Sequence, residues 1–345
     1  MNDTITPKAI EILRALSLSP EMSRSELQDA ISASRMSTIR ELARLTRQGY
    51  VRALGNGRAT RYAATSQAST LVLYDIEAYL AEEPDRRRVR YRGIEPQLFE
   101  SVHLVFRSAD LMEIDKVRVA YQSRQKVDPQ TAWRELERFV IELSWKSSKI
   151  EGNTYTLLDT EQLIRQATEA SGHTHQEALM ILGHKRTFEY IWQHQSDYRT
   201  LTRQHIEDVH QLLTADLGVK SGLRSSGVGI TGTAYLPPSS QTEVASNLDL
   251  ILQTINRLVE PAEKALGVLV LLSYLQPFAD GNKRTSRLIA NAVLLAHNLP
   301  PLSYRSIDEQ AYKGALILFY EQGTLANLRD LFLEQLRFAA MNYFW

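Results

Sequence analysis

Cysteine is absent from the chain, which excludes disulfides, thiolate nucleophiles and Cys-ligated zinc and agrees with a reducing compartment. Net charge is missing too. Forty Lys and Arg face forty Asp and Glu, so bulk charge does not favour a polyanion partner and charge has to be read by segment. There is no long apolar run: ALGVLVLLSYLQPF reaches its proline after too few residues to span a bilayer. The Met1 end, MNDTITPKAIEIL, lacks a basic region followed by an apolar stretch, so no signal peptide is expected. These absences lead to the expectation of a soluble, cytoplasmic protein, and 345 residues allow two or three domains with their own cores.

What is present begins with three helical patterns in quick succession, PKAIEILRAL, SRSELQDAI and SRMSTIRELARLTRQG, with apolar spacings of three and four such as Ile39, Leu42 and Leu45. Pro7 suits a first turn, Ser23 with Glu26 reads as a capping box, Ser34 can cap the third helix and Gly49 can end it. YVRALGNGRATRYAAT follows as a β-hairpin around GNG. Three short helices and a hairpin predict a winged helix-turn-helix over residues 1–66. That segment holds ten Lys or Arg against six Asp or Glu, a local basic excess in a neutral chain. Ser37, Thr38 and Arg40 are the candidates for base contacts, and Arg44, Arg58 and Arg61 for phosphate contacts on DNA. Reading two half-sites would call for a homodimer. Winged helices also serve as protein-docking modules, so the pattern alone leaves that role open.

Residues 67–110 read as a connector packed on the domain that follows, and 111–345 as a mainly helical domain. One insert departs from helical periodicity: GLRSSGVGITGTAYLPPSSQT, whose VGITGTAYL core is expected to form a β-hairpin and, by protruding, to contact a partner.

Within LQPFADGNKRTSR, Pro277 ends a helix, Asp280-Gly281-Asn282 is strong turn chemistry, and a new helix starts near Asn282. The free N–H groups of its first turn, its positive dipole end and the charges of Lys283, Arg284 and Arg287 make an anion site. Arg284 and Arg287, three apart, could grip two phosphates of one ligand, and Asp280 could hold a divalent cation bridging them. The same residues would also suit a capped loop with a solvated basic turn.

Gln276 through Arg287 resembles the Fic/Doc (Fido) signature H-x-F-x-[DE]-G-N-[GK]-R-x-x-R, matching at Phe278, Asp280, Gly281, Asn282, Lys283, Arg284 and Arg287 and departing at the first position. Ser147-Ser148-Lys149-Ile150-Glu151-Gly152 is similar to that family's inhibitory motif, in a helix around 143–152, and Gly222 through Pro238 resembles its flap hairpin. The resemblance implies a Fic-fold helical domain with a β-hairpin flap that binds ATP and Mg²⁺ and transfers AMP to a hydroxyl of a target protein, or phosphate in Doc relatives. It further implies that Phe278 anchors the loop, Asp280 holds Mg²⁺, Gly281 and Asn282 cradle phosphates with Lys283 beside them, and Arg284 and Arg287 neutralise the outer phosphates. Glu151 would pair with Arg287 and block the productive pose. Ile230, Thr231, Gly232 and Tyr235 would align a target segment by strand addition. Glu151 has an ordinary reading as well, as a surface residue at a helix end capped by Gly152-Asn153.

In the family the first signature residue is a histidine that takes the proton from the attacking hydroxyl. Gln276 has no titratable nitrogen, so a general-base contribution of about 10² to 10⁴ is missing while the phosphate site stands. Three explanations stay open: a natural pseudoenzyme with a sensing role, a base supplied by another residue, or an engineered substitution in an AMP transferase. His173 and His175 lie in the hydrophilic turn ASGHTH, where a surface role is commoner than metal binding.

Overall fold

The computed structural model describes residues 6–343 except 20, 66–67, 69–70, 104 and 125–127; the side chains of residues 18, 58, 124 and 129 are also outside the description. Its contacts divide the chain into two compact units. The first comprises Met1–Val105, Ile230–Tyr235 and Lys313–Leu328; the second comprises Phe106–Gly229, Leu236–Tyr312 and Arg329–Trp345. This division coincides with neither 66 nor 110, and it takes two later segments into the first unit.

The first unit opens with α1 (Pro7–Leu18), β1 (Met22–Ser23), α2 (Arg24–Ala30), α3 (Arg35–Arg47), β2 (Val51–Leu54) and β3 (Arg61–Ala64). Local chemistry sets these ends. The Thr6 hydroxyl accepts from Ala9 N ahead of Pro7, Ser23 and Glu26 form a reciprocal capping box, and Ser34 accepts from Ser37 N. The three strands form an antiparallel sheet in the order β1-β3-β2, with Val51 opposite Ala64 and Met22 opposite Tyr62. Ile12 and Leu13 of α1, Leu27, Leu42 and Leu45 are buried in one core with Val72 from beyond the sheet. Each fully buried aliphatic side chain of this kind stabilises by about 1.5–3 kcal/mol.

Within the same unit, Glu321, wholly buried, collects donors from distant parts of the sequence. Tyr79 Oη and Thr233 Oγ1 each lie 2.7 Å from its carboxylate and Ala234 N lies 2.8 Å away, while Arg87 approaches at 3.5 Å and donates to Gly232 O at 2.8 Å. The hydroxyl of Tyr79 is pushed to higher pKa by burial and by donating to Glu321. This corrects the hairpin expected around Ile230 to Tyr235: the segment contains no strand. Its main-chain groups at 232 and 234 bond to the side chains of Arg87 and Glu321 rather than across a ladder, and Tyr235 is buried beside Tyr320.

The second unit is helical among its described residues. Pro261–Leu275 is interior except at Pro261 and Lys264, which explains why it is apolar nearly all round, and Asn282–Ala296 is buried except at Lys283. Helices His175–Gln193 and Arg203–Thr214 meet at Gly183, where an added Cβ would sit 2.4 Å from Leu213 O; only glycine permits that approach. No helix among the described residues is long and apolar enough to cross a membrane.

Candidate functional site

The site lies in the second unit, where Pro261–Leu275 ends and Asn282–Ala296 begins. Gln276 caps the first helix in the left-handed region at φ +52°, a conformation that costs a non-glycine residue on the order of 1 kcal/mol and must be held by its surroundings. Arg224 holds it: Nε donates to Gln276 O at 2.6 Å, and Arg224 N donates to Pro277 O at 3.0 Å. The Gln276 side chain is nearly buried and its amide donates to Ser273 O at 2.7 Å, back onto its own helix.

Phe278 is fully buried, with its ring stacked on His210 at 3.7 Å between centroids. His210 Nε2 donates to Asp280 O at 3.0 Å, which leaves Nδ1 as a bare acceptor; Nδ1 is buried without a partner and burial holds the ring's pKa down. His210 therefore supports the loop, and its unprotonated nitrogen is closed to solvent. Asn282 clamps the turn from the other side, its side chain bonding Phe278 N at 2.8 Å and Phe278 O at 2.9 Å. Gly281, at φ +80°, is the N-cap of Asn282–Ala296 and supplies no side-chain acceptor, so the first-turn N–H groups of that helix have no side-chain cap. A Cβ on Gly281 would come within 3.1 Å of Thr214 Cγ2.

Around that helix start the predicted charges converge. Arg287 is fully buried; its Nε donates to Ser147 Oγ and its Nη2 to Ser147 O, both at 2.9 Å. Glu151 Oε1 lies 2.9 Å from Arg287 Nη2, a close ion pair. Glu151 is the C-cap of helix Pro129–Ile150, followed by Gly152 at φ +98°. The ordinary helix-end reading and the pairing reading therefore hold together: the cap turns the carboxylate toward Arg287. Burial raises the pKa of Glu151, but Arg287, then Lys283 and Arg284, outweigh it and leave the carboxyl below its usual range. Arg284, also buried, reaches Asp280 at 3.1 Å, and Asp280 stays largely exposed with its other oxygen on Gly281 N. Arg284 Nη1 and Arg287 Nη1 are both buried without a partner. Two orphaned guanidinium nitrogens beside an uncapped helix start fit an anionic ligand with more than one charged oxygen. Asp280, the exposed carboxylate beside them, is a donor suited to a divalent cation held together with ligand phosphates.

Other predicted residues fall elsewhere. His173 and His175 bond separately, to Thr154 at 2.8 Å and to Glu169 at 2.7 Å. In α3, Ser37 and Thr38 are buried, which corrects their expected role in base contacts: Thr38 Oγ1 donates to Ser34 O at 3.2 Å and Ser37 Oγ accepts from Lys8 Nζ at 3.3 Å. The exposed face of α3 instead carries Arg35, Met36, Arg40 and Arg47. Arg44 pairs with Glu41 at 3.5 Å, and Arg61 with Glu26 at 3.2 Å. The Arg58 side chain lies outside the described ones. The sequence offers His184 as one of several histidines but cannot place it, and it gives no signal for His210 or Glu321, none of which stands in a recognisable motif.

The Fic/DOC family profile matches residues 200–294, which includes the 276–287 loop and leaves out Glu151. Two curated relatives are named protein adenylyltransferase Fic. The one from Nematostella vectensis is 26% identical over 191 residues, covering 54% of this chain and 43% of the relative; the one from Culex quinquefasciatus is 27% identical over 205 residues, covering 58% and 40%. The match thus spans less than half the length of these relatives. Among solved structures, a Fic-domain-containing signalling protein from Bacteroides thetaiotaomicron aligns with a TM-score of 0.57 at 21% identity, covering 66% of this chain and 95% of that one. A Fic family protein from Desulfovibrio desulfuricans aligns with 0.56 at 23%, covering 68% and 72%. Residues 200–294 are thus similar to the Fic/DOC family, and the chain shares the fold of these solved structures over 66–68% of its length.

Proposed function

We propose that this chain binds ATP with Mg²⁺ at the 276–287 loop, that Glu151 restrains the site, and that Gln276 leaves AMP transfer to a target hydroxyl impaired or absent. The observation that carries the reading is Arg287: a buried guanidinium with one nitrogen paired to Glu151 and another without a partner. In this reading the first-turn amides from Asn282 onward, Lys283, Arg284 and Arg287 hold the phosphates, and Asp280 holds Mg²⁺, which would neutralise phosphate charge. Gln276 can orient a hydroxyl but cannot take its proton, and its amide is already committed to Ser273 O. Binding without efficient transfer suits a regulator.

The test is Mg·ATP binding by calorimetry together with transfer of labelled AMP, in the unaltered protein and in Glu151→Gly. Binding with little labelling is expected. Strong labelling with Gln276 in place would favour an adenylyltransferase restrained by Glu151, as the relatives' name suggests, and no binding in either protein would sink the nucleotide site.

A second reading concerns the first unit. We infer that the three helices and antiparallel sheet form a winged helix that binds DNA with α3 in the major groove; the exposed Arg35, Arg40 and Arg47 of α3 support this reading. Fluorescence anisotropy with duplex DNA should show affinity falling steeply with salt, and absence of binding at low salt would end this reading. A homodimer on DNA and a cytoplasmic location complete the proposal.

A further inference from the structure

His184 is wholly buried, and nothing in the proposed chemistry uses it. Its Nδ1 lies 2.9 Å from Met180 O, with Ser148 Oγ farther off at 3.4 Å. A carbonyl oxygen only accepts, so Nδ1 carries the proton and Nε2 is left as a bare acceptor. Ser147 Oγ stands 2.8 Å from Nε2 and must therefore donate to it. The lone pairs of that hydroxyl are then free to receive Arg287 Nε at 2.9 Å. Every proton between Met180 and Arg287 has one direction. Burial first, then the charges of Arg284 and Arg287, depress the His184 pKa to about 3, so the ring stays neutral at ordinary pH and the direction does not invert.

Arg287 is thus fixed at two nitrogens by one serine. Its Nε meets the Ser147 hydroxyl, its Nη2 meets the Ser147 main chain, and Nη1 remains without a partner. We propose that His184 is a positioning residue which, by setting the Ser147 hydroxyl, holds the Arg287 guanidinium in the plane that receives an anionic ligand. The inference rests on the reading that Arg287 takes a phosphate of the ligand. Under it, a ligand has only Glu151 to displace, because the arginine is already in place before the ligand arrives.

The experiment uses the full chain carrying Glu151→Gly, so that the carboxylate does not compete, and reads Mg·ATP affinity by calorimetry and hydrogen exchange of the Arg287 side-chain Nε–H by NMR. His184→Leu fills the space without an acceptor, whereas His184→Gln keeps one near the position of Nε2. His184→Leu and Ser147→Ala should each weaken Mg·ATP binding about tenfold and speed Nε–H exchange, and the double variant should lose no more than either alone, because the two act in series. His184→Gln should restore both readouts. Unchanged exchange in His184→Leu, or a Gln variant as impaired as the Leu variant, would overturn the proposal. Should His184→Leu fail to fold, unchanged exchange in Ser147→Ala overturns it equally. If the Glu151→Gly protein itself binds no Mg·ATP, the nucleotide reading fails, and the exchange measurement decides the positioning role by itself.

Discussion

Replacing Glu151 by glutamine removes one charge and almost no volume, at a point where the charge has a single dominant partner. At 2.9 Å and an effective dielectric near 20, its attraction to Arg287 is on the order of 6 kcal/mol. Most of that is offset by withdrawing a fully buried guanidinium and a mostly covered carboxylate from water. A net coupling of about 2 kcal/mol is the reasonable remainder, equivalent to roughly thirtyfold in an equilibrium constant. The variant should therefore bind Mg·ATP about thirtyfold more tightly by calorimetry, because a phosphate supplies Arg287 with the charge that glutamine does not. Without ligand, the variant should melt at a lower temperature than the unaltered protein. The pH dependence has a definite sign. The Glu151 carboxyl is held below its usual value, so the stability it contributes is present above the ordinary carboxylate pKa and is lost as pH falls through the lowered one. The melting difference should be flat at neutral pH and vanish in acid. Equal Mg·ATP affinity in the two proteins would refute the idea that Glu151 and the ligand compete for one arginine.

Gln276→His in a Glu151→Gly protein should raise AMP transfer by about 10² to 10⁴ over Glu151→Gly alone, measured with labelled ATP; no gain would mean that the loop does not place this position for base catalysis. Gly281→Ala should lower stability by about 1–3 kcal/mol in urea unfolding, since φ +80° and Thr214 at 3.1 Å both oppose a Cβ. Arg40→Ala with Arg47→Ala should abolish the salt-dependent DNA anisotropy signal, whereas Thr38→Val should change melting temperature without changing DNA preference.

The local signals were legible in the sequence because their causes are local. The capping box of Ser23 and Glu26 and the positive φ of Gly281 need only near neighbours. The Glu151 and Arg287 pair needed the family resemblance, because composition and spacing do not tell which carboxylate meets which arginine across the fold. Thr38 was misread although the signal was there: it stands four and seven residues before Leu42 and Leu45, so helical periodicity already turned it inward. The flap was misread for a different reason. VGITGTAYL has the residues of a strand, but a ladder needs a partner, and the main-chain groups there bond to Arg87 and Glu321, which lie far away in the chain.

The Glu321 cluster has a practical meaning for anyone cutting this protein into parts. A fragment starting at Phe106 would keep Thr233, Ala234 and Glu321 but discard Tyr79 and Arg87, leaving an interior carboxylate without its cation and one of its donors. Such a loss costs about 3–5 kcal/mol where burial persists. A fragment cut at Phe106 would therefore present residues 232–234 in surroundings unlike those of the whole chain, and binding measured on it would describe the fragment.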